Sequence, residues 1–226
     1  MSNHRALFDL AETMFATDER VRLTGHAPHF HLLRTPELVI CRCHEDFAEE
    51  VATALQGLSR RLRGRPSQWA REYADYLRVL SSVAPLRAVR AGPLYSFPNL
   101  PFSTGKAVSI DHNNADLLLG GLDEWVPDAA MGLPMIAMVV DGRAVSVCAS
   151  VNASGTADCA GVETLPAYRG RGLDAQAVAS WARTVQVRGA SPYYGTTFDN
   201  IASQGVAGRL GLNLIGSEFT VECETG

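Results

Sequence analysis

Apolar positions along this chain switch between helical and strand-like periods, and the switches lay out its elements. Leu7, Leu10, Met14 and Phe15 fall near helical spacing and predict a short amphipathic helix over residues 4–16. Residues 29–43 read as one or two strands broken at Pro36, with Leu38 to Cys41 the most β-like part. Phe47, Val51, Leu55, Leu58 and Leu62 recur every three or four positions, which predicts a helix over 45–63 stopped by Gly64. Pro66-Ser67 opens another helix through Trp69, Tyr73, Tyr76, Leu77 and Leu80, ending before Pro85. Residues 86–97 are strand-like and run into a loop rich in Pro, Asn, Ser and Gly over 98–106. Leu117, Leu118, Leu122 and Trp125 then predict a helix over 113–125.

The second half is more regular. Asp141-Gly142 separates two β-rich runs, 135–140 and 143–151, and such a pair between strands predicts a tight hairpin. A strand over 159–165 closed by Pro166, a helix over 173–187, a strand over 193–198, a helix over 202–210 and a strand over 214–221 follow, with Gly211 just past the last helix. Hairpin, β, α, β, α, β implies a mixed α/β (α+β) fold, a sheet covered by helices. There is no internal repeat or low-complexity segment. The stretch 98–112 is the one place for a boundary, giving an N-terminal extension over 1–105 and a domain over 106–226, or one continuous domain.

Composition narrows the class. Of 226 residues, 46% are apolar and 19% charged, enough for a substantial core and unlike a disordered chain. A formal net charge of −4 argues against a nucleic-acid surface. No apolar run approaches the ~20 residues of a membrane span. The start, MSNHRALFDLAETMF, lacks the basic and apolar regions of an export signal, and five cysteines without framework spacing suit a reducing compartment. A cytoplasmic protein with neither nucleic-acid nor membrane partners is expected.

Chemistry concentrates at Tyr168-Arg169-Gly170-Arg171-Gly172-Leu173, between the strand over 159–165 and the helix over 173–187. Glycines bare the backbone, and a helix N-terminus adds unpaired N–H groups and a positive dipole end, so the loop suits a phosphate group. No Lys-Ser/Thr follows the last glycine, and no third glycine completes a dinucleotide fingerprint. A third kind of phosphate loop is indicated; an ordinary turn with two solvated arginines is the alternative.

From Met135 onward, the element order and the run Val162 to Leu173 resemble the GNAT superfamily of acyl-CoA-dependent N-acetyltransferases, with their Arg/Gln-x-x-Gly-x-Gly/Ala loop between strand and helix. Asp199-Asn200-Ile201-Ala202-Ser203, followed by Arg209-Leu210-Gly211-Leu212, is similar to the family's Asn-led helix and its Leu-Gly-Phe ending. The resemblance covers about 90 residues closely and the first half loosely. It implies a mostly antiparallel sheet flanked by helices, preceded by a helical N-terminal extension. It also implies acetyl-CoA as co-substrate. Backbone amides of Arg169, Gly170, Arg171, Gly172, Leu173 and Asp174 would hold the diphosphate. The strand edge at Val162 and Thr164 would bond the pantetheine amides, in the manner of an added strand. Asn200 and Ser203 would line the cofactor, although Asn200 also reads as ordinary helix capping. Two departures stand out: the family's frequent tyrosine falls on Ala207, and a glutamate of some members falls on Gly195.

Acyl transfer to an amine needs a base and a proton source. Glu163, flanked by apolar residues on the cofactor strand, is the first candidate base; a carboxylate facing away and paired with arginine is the alternative. Asp158 is the second. Tyr194, Tyr193 and Ser203 are the candidate acids. His26, His29, His31, Cys41, Cys43 and His44 are metal-ligand types, but no CxxC pair completes a zinc set, so no metal is expected. Arg60, Arg61, Arg63 and Arg65 read as a solvated helix end able to steer an anion. The expected function is N-acetyl transfer from acetyl-CoA to an amine, on a small molecule, by direct transfer in a ternary complex. A non-catalytic acyl-CoA-binding or regulatory module is the alternative, and a homodimer is left open.

Overall fold

The computed structural model describes residues 3–60, 69–98 and 107–224, and side chains over 5–60, 73–98 and 107–224. Arg61, Arg63, Arg65, the helix start at Pro66-Ser67, the Trp69 side chain and most of the loop 98–106 lie outside them. The elements in chain order are α1 (Asn3–Met14), β1 (Phe30–Arg34), β2 (Val39–Cys43), α2 (Glu49–Ser59), α3 (Trp69–Ser81), β3 (Leu86–Ser96) and β4 (Ala107–Ser109). Then come β5 (Met135–Val140), β6 (Arg143–Ala153), β7 (Ala157–Thr164), α4 (Leu173–Val187), β8 (Ser191–Gly195), α5 (Ile201–Arg209) and β9 (Asn213–Cys223). The class is mixed α/β: mostly antiparallel β-structure flanked by helices, with helical segments in the first half. Among the described residues no helix is long and apolar enough to cross a membrane.

The chain divides into two compact units. One comprises residues 1–10, 96–194 and 201–213; the other comprises 11–95, 195–200 and 214–226. The second unit orders its strands β2-β1-β9-β3, with β1 antiparallel to both β2 and β9. Its core joins Phe30 and Leu32 of β1, Leu55 of α2, Tyr73, Tyr76 and Leu80 of α3, and Phe219 and Val221 of β9. Tyr73 stacks on Phe219 with ring centroids 4.3 Å apart, and its hydroxyl donates to Ser217 Oγ at 2.7 Å. Tyr73 and Tyr76 of α3 thus serve packing. Gly92 sits so close to its neighbour that a Cβ there would lie 1.6 Å from the Thr196 carbonyl oxygen, so only glycine fits.

The first unit orders its strands β8-β7-β6-β5-β4. Pairings β4–β5, β5–β6 and β6–β7 are antiparallel, and β7–β8 is parallel. The hairpin at Asp141-Gly142 forms with both residues at positive φ, 50° and 77°, as a turn matching strand twist requires. Over residues 146–150 of β6 and along β7, even-numbered residues face α4 and odd-numbered ones face the other way; register shifts on either side of that stretch reverse the parity of β6 beyond it. Trp181 of α4 bonds Ser150 on the first face, whereas Val147 and Ala149 join Leu118 and Leu122 on the second.

Three elements depart from the sequence-based expectation. The helix over 113–125 is instead a series of short 3-10 turns, Ala115–Leu118, Asp123–Trp125 and Asp128–Met131. Gly120 and Gly121, at φ 86° and 146°, interrupt any continuous helix there. The strand expected over 193–198 lies earlier, as β8, and β4 was not anticipated.

Candidate active site

Between β7 and β8 the sheet parts. Their pairing runs from Ala157↔Ser191 to Cys159↔Tyr193 and ends there. Backbone direction then alternates along β7. The Leu165 N–H donates to Val145, toward β6, whereas the Thr156 carbonyl accepts the Ser191 N–H, toward β8. By this alternation Val162 and Thr164, beyond the last β8 pairing, point their N–H and C=O groups away from β6, into the gap. Arg169 Nε donates to the Thr164 carbonyl at 3.1 Å, so one of these acceptors is already used internally.

The loop beyond β7 turns through a 3-10 segment, Pro166–Tyr168, and enters α4 through Gly170 and Gly172, both at φ 73°. Tyr168 and Arg169 spend their N–H groups on Leu165 and Pro166. The first amide inside α4 to find a helical partner is that of Gln176, to Gly172, at 3.1 Å. The amides of Gly170, Arg171, Gly172, Leu173 and Asp174 donate to nothing among the described residues. A Cβ built on Gly170 or Gly172 meets no atom within 4 Å, so the space over both is open. Arg171 lies over the Tyr168 ring, 5.0 Å from its centroid.

The Asp174 carboxylate is engaged on both oxygens. Oδ2 pairs with Arg209 of α5 at 2.8 Å, and Oδ1 accepts the Ala175 N–H at 2.7 Å. An acid in the first turn therefore meets a cation on its flank while its own backbone N–H stays available.

Candidate acid–base groups fall on two faces. Glu163, odd-numbered, lies half-buried on the face away from α4, where Trp125 Nε1 donates to its Oε2 at 2.6 Å. Its partner is thus an indole rather than an arginine. Asp158, even-numbered, is buried under α4, at the paired end of β7. Its Oδ2 accepts from Ser150 at 2.6 Å, Arg188 approaches at 3.7 Å, and Oδ1 has no hydrogen-bond partner. Burial raises the Asp158 carboxyl above its ordinary value of 3.8, opposed by the Ser150 hydroxyl and by Arg188. A carboxyl raised in the native state costs stability as pH climbs from the unfolded range through the raised native one. Asp158→Asn is therefore expected to flatten the fall of melting temperature as pH rises above about 4. Melts of both proteins across that range with equal slopes would contradict it.

Tyr194 is buried, and its hydroxyl lies 2.6 Å from Ser203 Oγ on α5. Burial pushes it up to about 12, with Ser203 acting in the opposite direction, so it holds its proton at neutral pH. Cys148, Asp174 and Arg209 are its charged or titratable neighbours, which places it on the α4 side. Tyr193 is buried as well and is likewise raised to about 12 by burial. Ala207 is buried in α5. Asn200 belongs to the other unit, where its N–H donates to Thr197 at 3.2 Å. Gly195 lies in that unit too, and a Cβ built on it would sit at ordinary contact distance from Glu218 and Leu94. Among the described residues no group of three or more His, Cys, Asp or Glu is arranged to hold a metal ion. Trp125 is the site residue that sequence reasoning missed, having been assigned to a helix core.

No family model and no curated protein matches the sequence. Solved structures do match by shape. One is a GCN5-related N-acetyltransferase-like protein from Streptococcus suis, with TM-score 0.56, 16% identity and coverage of 97% of this chain and 92% of that one. A GNAT-family acetyltransferase from Colwellia psychrerythraea matches with TM-score 0.54 and 11% identity, over 99% and 98%. A protein described as a GNAT-family acetyltransferase from Novosphingobium aromaticivorans gives 0.52 and 18%, over 63% and 68%. At such identities likeness speaks for shape alone, and by shape this chain has the fold of the GNAT acetyltransferases.

Proposed function

We propose that this protein moves an acetyl group from acetyl-CoA to an amine on a small molecule, directly, within a ternary complex. The observation that carries the reading is the run of five unpartnered amides, Gly170 to Asp174, at the positive end of a 15-residue helix. Open space over Gly170 and Gly172 fits the approach of a diphosphate to bare backbone. The backbone groups of Val162, and the N–H of Thr164, suit the amides of an extended pantetheine arm. Acetyl-CoA supplies an activated thioester. Glu163 takes the proton from the acceptor nitrogen, and Tyr194, protonated and bonded to Ser203, supplies one to the thiolate that leaves as the C–S bond breaks. In this reading one of these strand N–H groups, around Thr164, polarises the thioester carbonyl instead of bonding the arm.

Ala207 and Gly195 favour a second reading, a module that binds acyl-CoA without turning it over. Calorimetric titration with acetyl-CoA, paired with thiol release over a panel of amines, decides between them. Binding with amine-dependent thiol release is the expected result. Binding without release supports the module, and no binding overturns both.

A further inference from the structure

Glu163 does not stand alone on its face of β7. Its Oε2 accepts a 2.6 Å hydrogen bond from Trp125 Nε1, and its other oxygen makes none among the described residues. The backbone behind it is tied down by Ser146, whose hydroxyl donates to the Glu163 carbonyl at 3.2 Å. Two positions earlier on the same face is Gly161. A Cβ there would lie 2.3 Å from Val151 Cγ1 and 3.0 Å from Trp125 Cη2. The six-membered ring of the indole thus lies over the bare backbone of Gly161, and its N–H edge reaches along the strand to the carboxylate.

The indole is itself held from below. Trp125 closes the 3-10 turn Asp123–Trp125, its backbone N–H donating to the Leu122 carbonyl at 3.0 Å. Asp123 Oδ2 accepts from Gly120 and Gly121 at 3.0 and 2.6 Å, and these backbone bonds, Gly121 first, hold the Asp123 carboxyl below its ordinary range. The ring packs against the Leu118 and Leu122 cluster.

We infer that Trp125 is a positioning residue for Glu163. It occupies one carboxylate oxygen and leaves the other to take the acceptor's proton, and Gly161 lacks a side chain because Val151 and the indole together fill that space. A carboxylate with one oxygen locked has a single direction from which to receive a proton, which favours one pose of the amine. The inference rests on the reading of Glu163 as the base.

The test is a double-mutant cycle on thiol release with an accepted amine, using Trp125→Phe, Glu163→Ala and the pair. Trp125→Phe keeps most of the aromatic volume and removes the N–H. It is expected to lower kcat about tenfold with the acetyl-CoA dissociation constant unchanged within about twofold, and to add nothing in the Glu163→Ala background. By NMR, the Trp125 indole N–H resonance, identified by its loss in Trp125→Phe, should move in Glu163→Ala. Losses from the two single variants that multiply in the pair, or an indole resonance indifferent to Glu163→Ala, overturn the inference while leaving the base in place. A Glu163→Ala protein with wild-type turnover removes the base itself, and the inference with it.

Discussion

Replacing Gly172 by valine is expected to weaken acetyl-CoA binding about a hundredfold, equivalent to about 2.7 kcal/mol. The residue sits at φ 73°, where a side chain costs about 1–2 kcal/mol and a β-branched one more. No atom lies within 4 Å of a Cβ built there, so the penalty comes from the backbone leaving the left-handed region rather than from a clash. Once it leaves, the amides of Gly172, Leu173 and Asp174 no longer converge, and each charge-assisted bond lost costs about 1.5–3 kcal/mol. Gly172→Ala should fall between valine and wild type. Titration calorimetry, with circular dichroism to show that α4 persists, makes the measurement. Valine binding as tightly as glycine would mean that this turn does not cradle the diphosphate.

The second large effect is structural. Trp181→Ala is expected to destabilise the unit that carries α4 by about 3–5 kcal/mol, lowering its melting temperature on the order of 10 °C. Trp181 is fully buried, with the Phe97 ring edge-on at 5.9 Å. Its Nε1 donates to Ser150 Oγ at 2.9 Å, and Ser150 in turn donates to Asp158 at 2.6 Å. Removing the indole leaves a cavity and breaks a chain of bonds that ends on a buried carboxylate. Trp181→Phe, which restores most of the volume but not the N–H, should recover more than half of the loss. A shift of only a few degrees for alanine would show that the site collapses onto the gap.

What could be read from the sequence was local. The span of α4 follows from glycines before it and helical periodicity within it, and the β5–β6 turn follows from Asp141-Gly142. Backbone alternation already set Val162 and Thr164 apart from Glu163. The segment 113–125 misled because Leu118, Leu122 and Trp125 are spaced almost equally well for successive 3-10 turns as for an α-helix, and Gly120-Gly121 decided between them. The Trp125–Glu163 bond joins residues 38 positions apart across two elements, and no spacing rule reports such a contact. Asp158 reads as one acid in a strand, and its burial becomes visible only once Trp181 and Ser150 close over it.

The parted strands carry a consequence for the handling of the protein. A rim of unspent amide and carbonyl groups is adhesive, able to recruit an extended segment of any neighbouring chain. In β7 that rim is short, and Arg169 already caps one of its carbonyls. A bound ligand that lies along the remainder would therefore also shield the protein from self-association.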